Sequence, residues 1–474
     1  MLGHRGAAKC DLDLMVIGGG SAAFAAAIRA AELGANVGVA EEGVIGGTCL
    51  NRGCLPTKNL LYAAERYHLY GRNSFPGLPH GTDPVNFPEI IGQKDALVTE
   101  MRKQKYLDVL EAYPAIRYFP QRARFVGEHE VQTDGERVSA EHFLVATGAS
   151  PILPPVPGLR ENGYLTYKES LDLDHLPASM VVIGGGPIGL EIGQMYARFG
   201  THVVILEALA MIASTEEPEI SEALKKYLTA EGIEIYTSAS VKQVEKTAEG
   251  KLVAAVIDGR HKVFRAEQVL VATGLRPNTQ EMGLEKIGVK CDPKGAVVVN
   301  EELRTTVRHI WAAGDVTGRM MLVTVAAYEG GIAAENALIK AHNKMQFDAV
   351  PHAIFTDPGV ASVGMKELPA QIAGRKVLST VVPFDHVPKA GVIRDTRGLI
   401  KMVVDAKDYT ILGVHILGPE APDLIHLGVF AIQNKMTVGD MIRTIFVYPT
   451  MAEAFKIAAI AFKKDVTKLS CCAA

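Results

Sequence analysis

Four of the chain's six cysteines fall into two tight pairs. Cys49 and Cys54 stand five residues apart in Gly46-Gly47-Thr48-Cys49-Leu50-Asn51-Arg52-Gly53-Cys54-Leu55-Pro56-Thr57-Lys58, and Cys471 and Cys472 are adjacent near the end. Two neighbouring thiols can cycle with a disulfide, or grip an ion that favours soft sulfur ligands. A buried redox pair plus a second pair on a polar tail points to capture of a thiophilic metal ion followed by its reduction. On a regular helix the five-residue spacing sets the Cα atoms about 8–9 Å apart, and a disulfide spans less than roughly 7 Å. The helix start is therefore expected to be distorted between the cysteines, with Gly53 and Pro56 allowing it. Its N-terminal position, with Arg52 and Lys58 close in sequence, favours the thiolate.

Such a pair needs an electron source and a frame. Residues 12–41 read strand, glycine turn, helix, strand, and residues 178–207 repeat the pattern. Gly18-x-Gly20-x-x-Ala23 opens the first helix and Gly184-x-Gly186-x-x-Gly189 the second, offset by 166 residues. The first glycine permits the turn, the second lets backbone approach a pyrophosphate, and the small third residue lets helix and strand pack closely. The helix N-terminus then offers free N–H groups and a positive dipole to phosphates. Glu41 and Glu207 end the second strand of each module, again 166 residues apart, where a carboxylate accepts hydrogen bonds from ribose hydroxyls. A carboxylate repels a 2′-phosphate, and residues 208–214 contain no Arg or Lys to hold one, so Glu207 favours NADH over NADPH. A second echo places Ala-Thr-Gly after a short apolar strand, at Thr147-Gly148 and again at Thr273-Gly274. One module must carry a cofactor that accepts a hydride and passes on electrons, which a flavin does. The redox cysteines follow the first fingerprint, which assigns FAD there and nicotinamide to the second.

The fold class expected is α/β, two tandem Rossmann-like dinucleotide-binding domains plus a C-terminal α+β domain. The boundaries are 1–150 for FAD (with 283–347 returning to it), 151–282 for NAD(P)H and 350–474 for the last domain. Prolines 151, 154, 155 and 157 mark the crossing between modules. With 474 residues, 48% hydrophobic and 22% charged, the chain has an ordinary globular composition. A net charge of −4 argues against nucleic acid or an anionic membrane surface as partner. No apolar run approaches the roughly 20 residues of a spanning helix, and the first residues lack the apolar core of a signal peptide. A cytoplasmic, reducing setting is expected, in which a disulfide is catalytic rather than structural. Cys10 and Cys291 are read as incidental, His415 and His426 as structural, and Trp311 as core.

The motif Gly-Gly-Thr-Cys-Leu-Asn-Arg-Gly-Cys-Leu-Pro-Thr-Lys, with both fingerprints, resembles the pyridine nucleotide–disulfide oxidoreductase family over essentially the whole chain. The resemblance implies Cys54 as the flavin-proximal thiol and Cys49 as the distal one. It also implies Lys58 near the flavin and paired with Glu191, and Asp315 of Ala-Ala-Gly-Asp-Val on the ribityl chain. It further implies a homodimer in which the last domain of one subunit completes the active site of the other.

Thiol-substrate members of that family resemble one another in His-Pro-Thr-x-x-Glu near the C-terminus, where the His shuttles protons. This chain has Tyr448-Pro449-Thr450-Met451-Ala452-Glu453. A phenol with its pKa near about 10 is a poor shuttle at neutral pH; thiol–disulfide exchange needs one and metal-ion reduction does not. With Cys471-Cys472, this departure resembles the mercuric reductase branch, which also has a second active-site tyrosine where Tyr106 falls. The resemblance implies Hg(II) as substrate, delivered as thiol complexes and caught by Cys471 and Cys472. The ion then passes Tyr106 and the partner subunit's Tyr448 to Cys49 and Cys54. That branch is regarded as using NADPH, from which Glu207 departs. Many of its members carry an extra N-terminal metal-binding domain; this chain opens directly on the first module, so none is expected. Two other readings stay open, a dihydrolipoamide dehydrogenase-like disulfide reductase and a non-catalytic metal-sequestering flavoprotein.

Overall fold

A computed structural model describes residues 10–81 and 83–470. The chain divides into two units. One takes the chain up to Pro56, then Gly92–Ile152 and Gly274–Gln346; the other takes Thr57–Ile91, Leu153–Thr273 and everything from Phe347.

The first unit is built on β1 (Leu12–Ile17), α1 (Ser21–Glu32) and β2 (Val37–Ala40). β1 pairs in parallel with β2 on one side and with Arg137–Val145 on the other. Five of its six residues are buried, as expected of a strand covered on both faces. Ile116–Phe119 extends the sheet beyond β2, and Ile310–Ala312 pairs in parallel with Arg137–Val145. That last strand returns residues more than 160 positions downstream to the first sheet, and Gly314 and Asp315 follow it directly. α1 buries a stripe of alanines (22, 23, 26, 27 and 30), whose small side chains allow a close approach to the Val323–Leu338 helix.

The second unit repeats the design. Ser179–Ile183, His202–Leu206, Glu234–Tyr236 and Gln268–Val271 form a four-stranded parallel sheet, with the Pro187–Phe199 helix rising from the glycine turn. A three-stranded antiparallel ribbon, Ala239–Thr247, Gly250–Ile257 and Arg260–Ala266, packs a shared core with it around Val181, Val244 and Phe264. From His352 the pattern changes to five antiparallel strands backed by the helices Ala421–Gln433, Val438–Arg443 and Glu453–Ala461. Phe384, Met402, Val414 and Phe455 fill their common core. The expected α/β class with an α+β C-terminal part is what the fold shows. Among the described residues, no helix is long and apolar enough to cross a membrane.

Candidate active site

The cysteine motif does not form one helix. α2 (Gly47–Arg52) ends at Gly53, whose backbone sits at φ −131° and ψ −114°, and α3 (Cys54–Gly71) starts afresh at Cys54. A side chain at Gly53 would place its Cβ 2.9 Å from the Thr48 carbonyl oxygen and 3.2 Å from Cys49 Cα, so the backbone at this break leaves room for glycine and crowds any larger residue. The break falls between the two cysteines. Both are half-buried, not buried as the sequence suggested, because α2 starts against the glycine turn of the first module and leaves Thr48 and Arg52 facing out. Asn51 staples the segment: its Nδ2 donates to the carbonyls of Ile45 (3.0 Å) and Gly47 (2.9 Å), and its Oδ1 accepts from Arg102 Nε at 2.7 Å.

Arg102 ends the Phe87–Arg102 helix, which runs on as a π-helical turn, Lys103–Leu107. Such turns insert one extra residue and re-aim side chains. Tyr106 lies in this turn. Its ring meets Phe24 edge-on, centroids 4.5 Å apart, and its hydroxyl bonds Ser21 at the start of α1. Burial pushes the Tyr106 hydroxyl pKa up, the Ser21 bond opposes this, and the nearby Cys49 and Cys54 add a further upward push.

The two fingerprints superimpose in their chemistry. A Cβ on Gly18 would lie 2.2 Å from the Ala146 carbonyl oxygen, and one on Gly184 would lie 2.4 Å from that of Ala272. Gly20 and Gly186 cap their helices without any side-chain hydrogen bond, leaving first-turn N–H groups for a ligand. Ala23 and Gly189 are buried in those first turns. Glu41 accepts from Gly19 N and Gly43 N, both at 2.7 Å; Glu207 accepts from Gly185 N at 2.6 Å and Leu209 N at 2.7 Å. Each carboxylate thus holds its own glycine loop, with lone pairs to spare for a ribose.

In the first unit a cavity of 520 Å³ opens beside Gly18, Glu41 and Thr147, lined also by Arg122, Arg276 and Asn278. Thr147 and Asn278 close it reciprocally, Thr147 Oγ1 donating to Asn278 O (2.6 Å) and Asn278 Nδ2 to Thr147 O (2.9 Å). Gly148 O accepts from Asn278 N, and Gly274 O from Ile152 N, so both Thr-Gly turns brace this crossing. Desolvation pushes Asp315 up to about 6. Glu329, 1% exposed, is pushed up to about 7 by burial, against the pull of the Gly314 N–H that it accepts at 2.7 Å. Its other oxygen is buried and has no partner among the described residues. A glycine cradle, uncapped helix start, ribose-height carboxylate and buried carboxyls fit a flavin adenine dinucleotide; the second loop fits a nicotinamide dinucleotide.

In the second unit Lys58 Nζ donates to Glu191 Oε2 at 2.7 Å and sits 4.5 Å from the centroid of the Phe355 ring. Phe355 N donates to Glu191 Oε1 at 2.9 Å. Phe355 escaped the sequence reading, since nothing in its neighbourhood marks an aromatic ring as a lysine partner. The spacing of Glu191, Gln194 and Arg198 on one helix face was the available signal. Tyr448 is 48% exposed, beyond Ile445 at 93% and Val447 at 77%. Glu453 turns back to accept from Thr450 N at 3.2 Å. Cys471 and Cys472 lie outside the described residues. Cys10 is half-buried, Cys291 and His426 exposed, and Trp311 and His415 buried. Among the described residues, no three of His, Cys, Asp or Glu are grouped to hold a metal ion.

The chain is similar to known proteins over nearly its whole length. The chain is 42% identical over 98% of its length to the mercuric reductase of Staphylococcus aureus, covering 84% of that protein. It is 40% identical over 98% of its length to the mercuric reductase of Streptomyces lividans, covering 99% of it. The HOCl-induced flavoprotein disulfide reductase of Escherichia coli, solved also as a Cu(II) complex, matches with a TM-score of 0.85 at 28% identity, over 95% of this chain and all of that one. Residues 350–459 match the family's dimerisation domain. With residues 12–330 matched as well, the chain belongs to the pyridine nucleotide-disulphide oxidoreductase family of flavoproteins.

Proposed function

We propose that the chain is a mercury(II) reductase, which takes electrons from NADH or NADPH and delivers two of them to Hg(II), releasing Hg(0). The observation that carries this is Tyr448 standing before Pro-Thr-x-x-Glu, where a disulfide reductase needs a proton shuttle. The two relatives named above as mercuric reductases support it.

The Gly18–Ala23 turn would hold the pyrophosphate of FAD, Glu41 its ribose and Asp315 its ribityl chain. Gly184, Gly186, Gly189 and Glu207 would hold the nicotinamide nucleotide, with Glu207 favouring NADH. Flavin bound in the first unit accepts hydride equivalents and supplies electron pairs for the reduction. Lys58, tethered by Glu191, contributes a fixed positive charge one helical turn beyond Cys54. Hg(II) arrives from solution on small thiols, and Cys471 and Cys472 take it by ligand exchange. Tyr106 and the partner subunit's Tyr448 flank its way to Cys49 and Cys54, whose thiolates hold it as a two-coordinate ion. Two electrons convert Hg(II) to Hg(0), which binds sulfur weakly and leaves. The hydride equivalent leaves one proton behind, which is released to solvent, and the Hg(0) product takes up none, so no side chain has to act as acid and phenols can stand where an imidazole otherwise would. The dimerisation domain supports a homodimer, acting in the reducing cytoplasm.

The test is oxidation of NADH and of NADPH with Hg(II) in excess small thiol, against lipoamide, glutathione disulfide and Cu(II). Turnover with Hg(II) and faster use of NADH are expected. Turnover confined to lipoamide would place the chain with dihydrolipoamide dehydrogenase-like enzymes, and tight Hg(II) binding without turnover would make it a sequestering flavoprotein. Converting Cys471 and Cys472 to alanine should slow turnover of thiol-bound Hg(II) and leave reduction of the flavin by NADH intact.

A further inference from the structure

Lys58, Glu191 and Phe355 form a closed triangle. The Lys58 ammonium is 2.7 Å from Glu191 Oε2, Glu191 Oε1 is 2.9 Å from the Phe355 amide nitrogen, and the ammonium is 4.5 Å from the Phe355 ring centroid. Glu191 is 4% exposed and its carboxylate spends one oxygen on each neighbour. Fixing a lysine side chain costs it much rotamer freedom, so a single ion pair leaves its head free to swing about the carboxylate. A ring face on a second side removes that freedom through attraction between the cation and the aromatic quadrupole.

The ring is itself held. Residues 191, 194 and 198 lie on one face of the Pro187–Phe199 helix. Asp357 N donates to Gln194 Oε1 at 2.8 Å, Gln194 Nε2 donates to Asp357 O at 2.7 Å, and Arg198 Nη2 donates to Asp357 Oδ2 at 2.6 Å. Together with the Glu191–Phe355 bond, these contacts clamp residues 355–357 along the helix. Arg397 Nη2 grips the same aspartate at 2.9 Å from the C-terminal sheet side. The backbone carrying Phe355 therefore has little room to move, and the ring inherits its rigidity.

We propose that Phe355 is a positioning residue for the enzyme's electron transfer, acting through Lys58 by holding its ammonium in one orientation against Glu191. This rests on the role given to Lys58 above. Three variants of the flavin-loaded full chain test it: Phe355→Leu, Phe355→Tyr, and replacement of Phe355 by pentafluorophenylalanine, which keeps the shape and reverses the ring quadrupole. The first readout is labelling of Lys58 by an amine-directed reagent at fixed pH, followed by peptide mass spectrometry. The second is kcat against KM for NADH. The Leu and pentafluoro variants should label Lys58 about fivefold faster and lose about fivefold in kcat with KM unchanged, the size of a cation–aromatic contact. The Tyr variant should match the parent in both. If Phe355→Leu does not fold, the shape-preserving pentafluoro variant decides. Labelling at the parent's rate in the pentafluoro variant would overturn the proposal, as would a Tyr variant that behaves like Leu. Labelling does not depend on the metal substrate, so an enzyme that ignored Hg(II) would refute the proposed function while leaving this test standing.

Discussion

Glu329 holds its proton more tightly because it is buried. Its carboxyl has a folded-state pKa of about 7 against an ordinary 4.5, through desolvation. A group that binds its proton more tightly when folded contributes stability below its unfolded pKa and loses that contribution as pH climbs through the folded value. Asp315, raised from 3.8 to about 6, adds in the same direction. Urea unfolding of flavin-stripped protein is therefore expected to grow easier from about pH 5 to about pH 7. Glu329 accounts for about 3 kcal/mol of that fall as an order of magnitude. In Glu329→Gln the dependence should flatten to the share of Asp315; an unchanged slope would mean that Glu329 titrates normally. None of this could be read from the sequence. The Ala-Ala-Gly-Asp-Val motif announced Asp315 by resemblance, whereas Glu329 sits inside an apolar helix whose packing against α1 buries it.

The break between α2 and α3 follows from geometry that spacing alone exposed. A five-residue gap is too long for a disulfide on a straight helix, and Gly53 was the one residue between the cysteines able to yield. What spacing could not reveal was how little room the break leaves, since a Cβ on Gly53 would crowd the backbone of Thr48 and Cys49. Gly53→Ala should lower stability by about 1–3 kcal/mol, as overpacking does. It should also slow reoxidation of the Cys49–Cys54 dithiol, read by thiol titration after NADH reduction; parent-like reoxidation would show that the break does not control the pair. The fingerprint turns allow a sharper comparison. Gly18→Ala and Gly184→Ala each drive a methyl into a carbonyl oxygen. The first should release flavin, seen as lost visible absorbance. The second should keep the flavin and raise KM for NADH roughly tenfold or more. Identical phenotypes would mean that the loops do not divide the two nucleotides. The π-helical turn carrying Tyr106 had no sequence signal, because an extra residue in a helix leaves the apolar pattern nearly intact.

The two modules were legible because they are the same object written twice, with glycines and acids at one constant offset. The C-terminal part was legible only as a change of character, since antiparallel strands alternate weakly when both faces are covered. That part leaves apolar residues exposed in the single chain, Ile445, Val447 and Phe430, the last 61% exposed. A second copy would cover them. Ile445→Asp should shift the protein toward monomer in light scattering and lower Hg(II) turnover while the flavin stays bound; a dimer with full turnover would place the interface elsewhere. The duplicated loops carry one more implication, for anyone wishing to change the reductant. Glu207 is both the expected discriminator against phosphorylated nucleotide and the clasp on the amides of Gly185 and Leu209. Swapping it for arginine unfastens the turn in the act of inviting the phosphate. Redesign of this loop for a phosphorylated nucleotide should graft the stretch from Glu207 to Ser214 whole, because a lone exchange removes the clasp on Gly185 and Leu209 before anything replaces it.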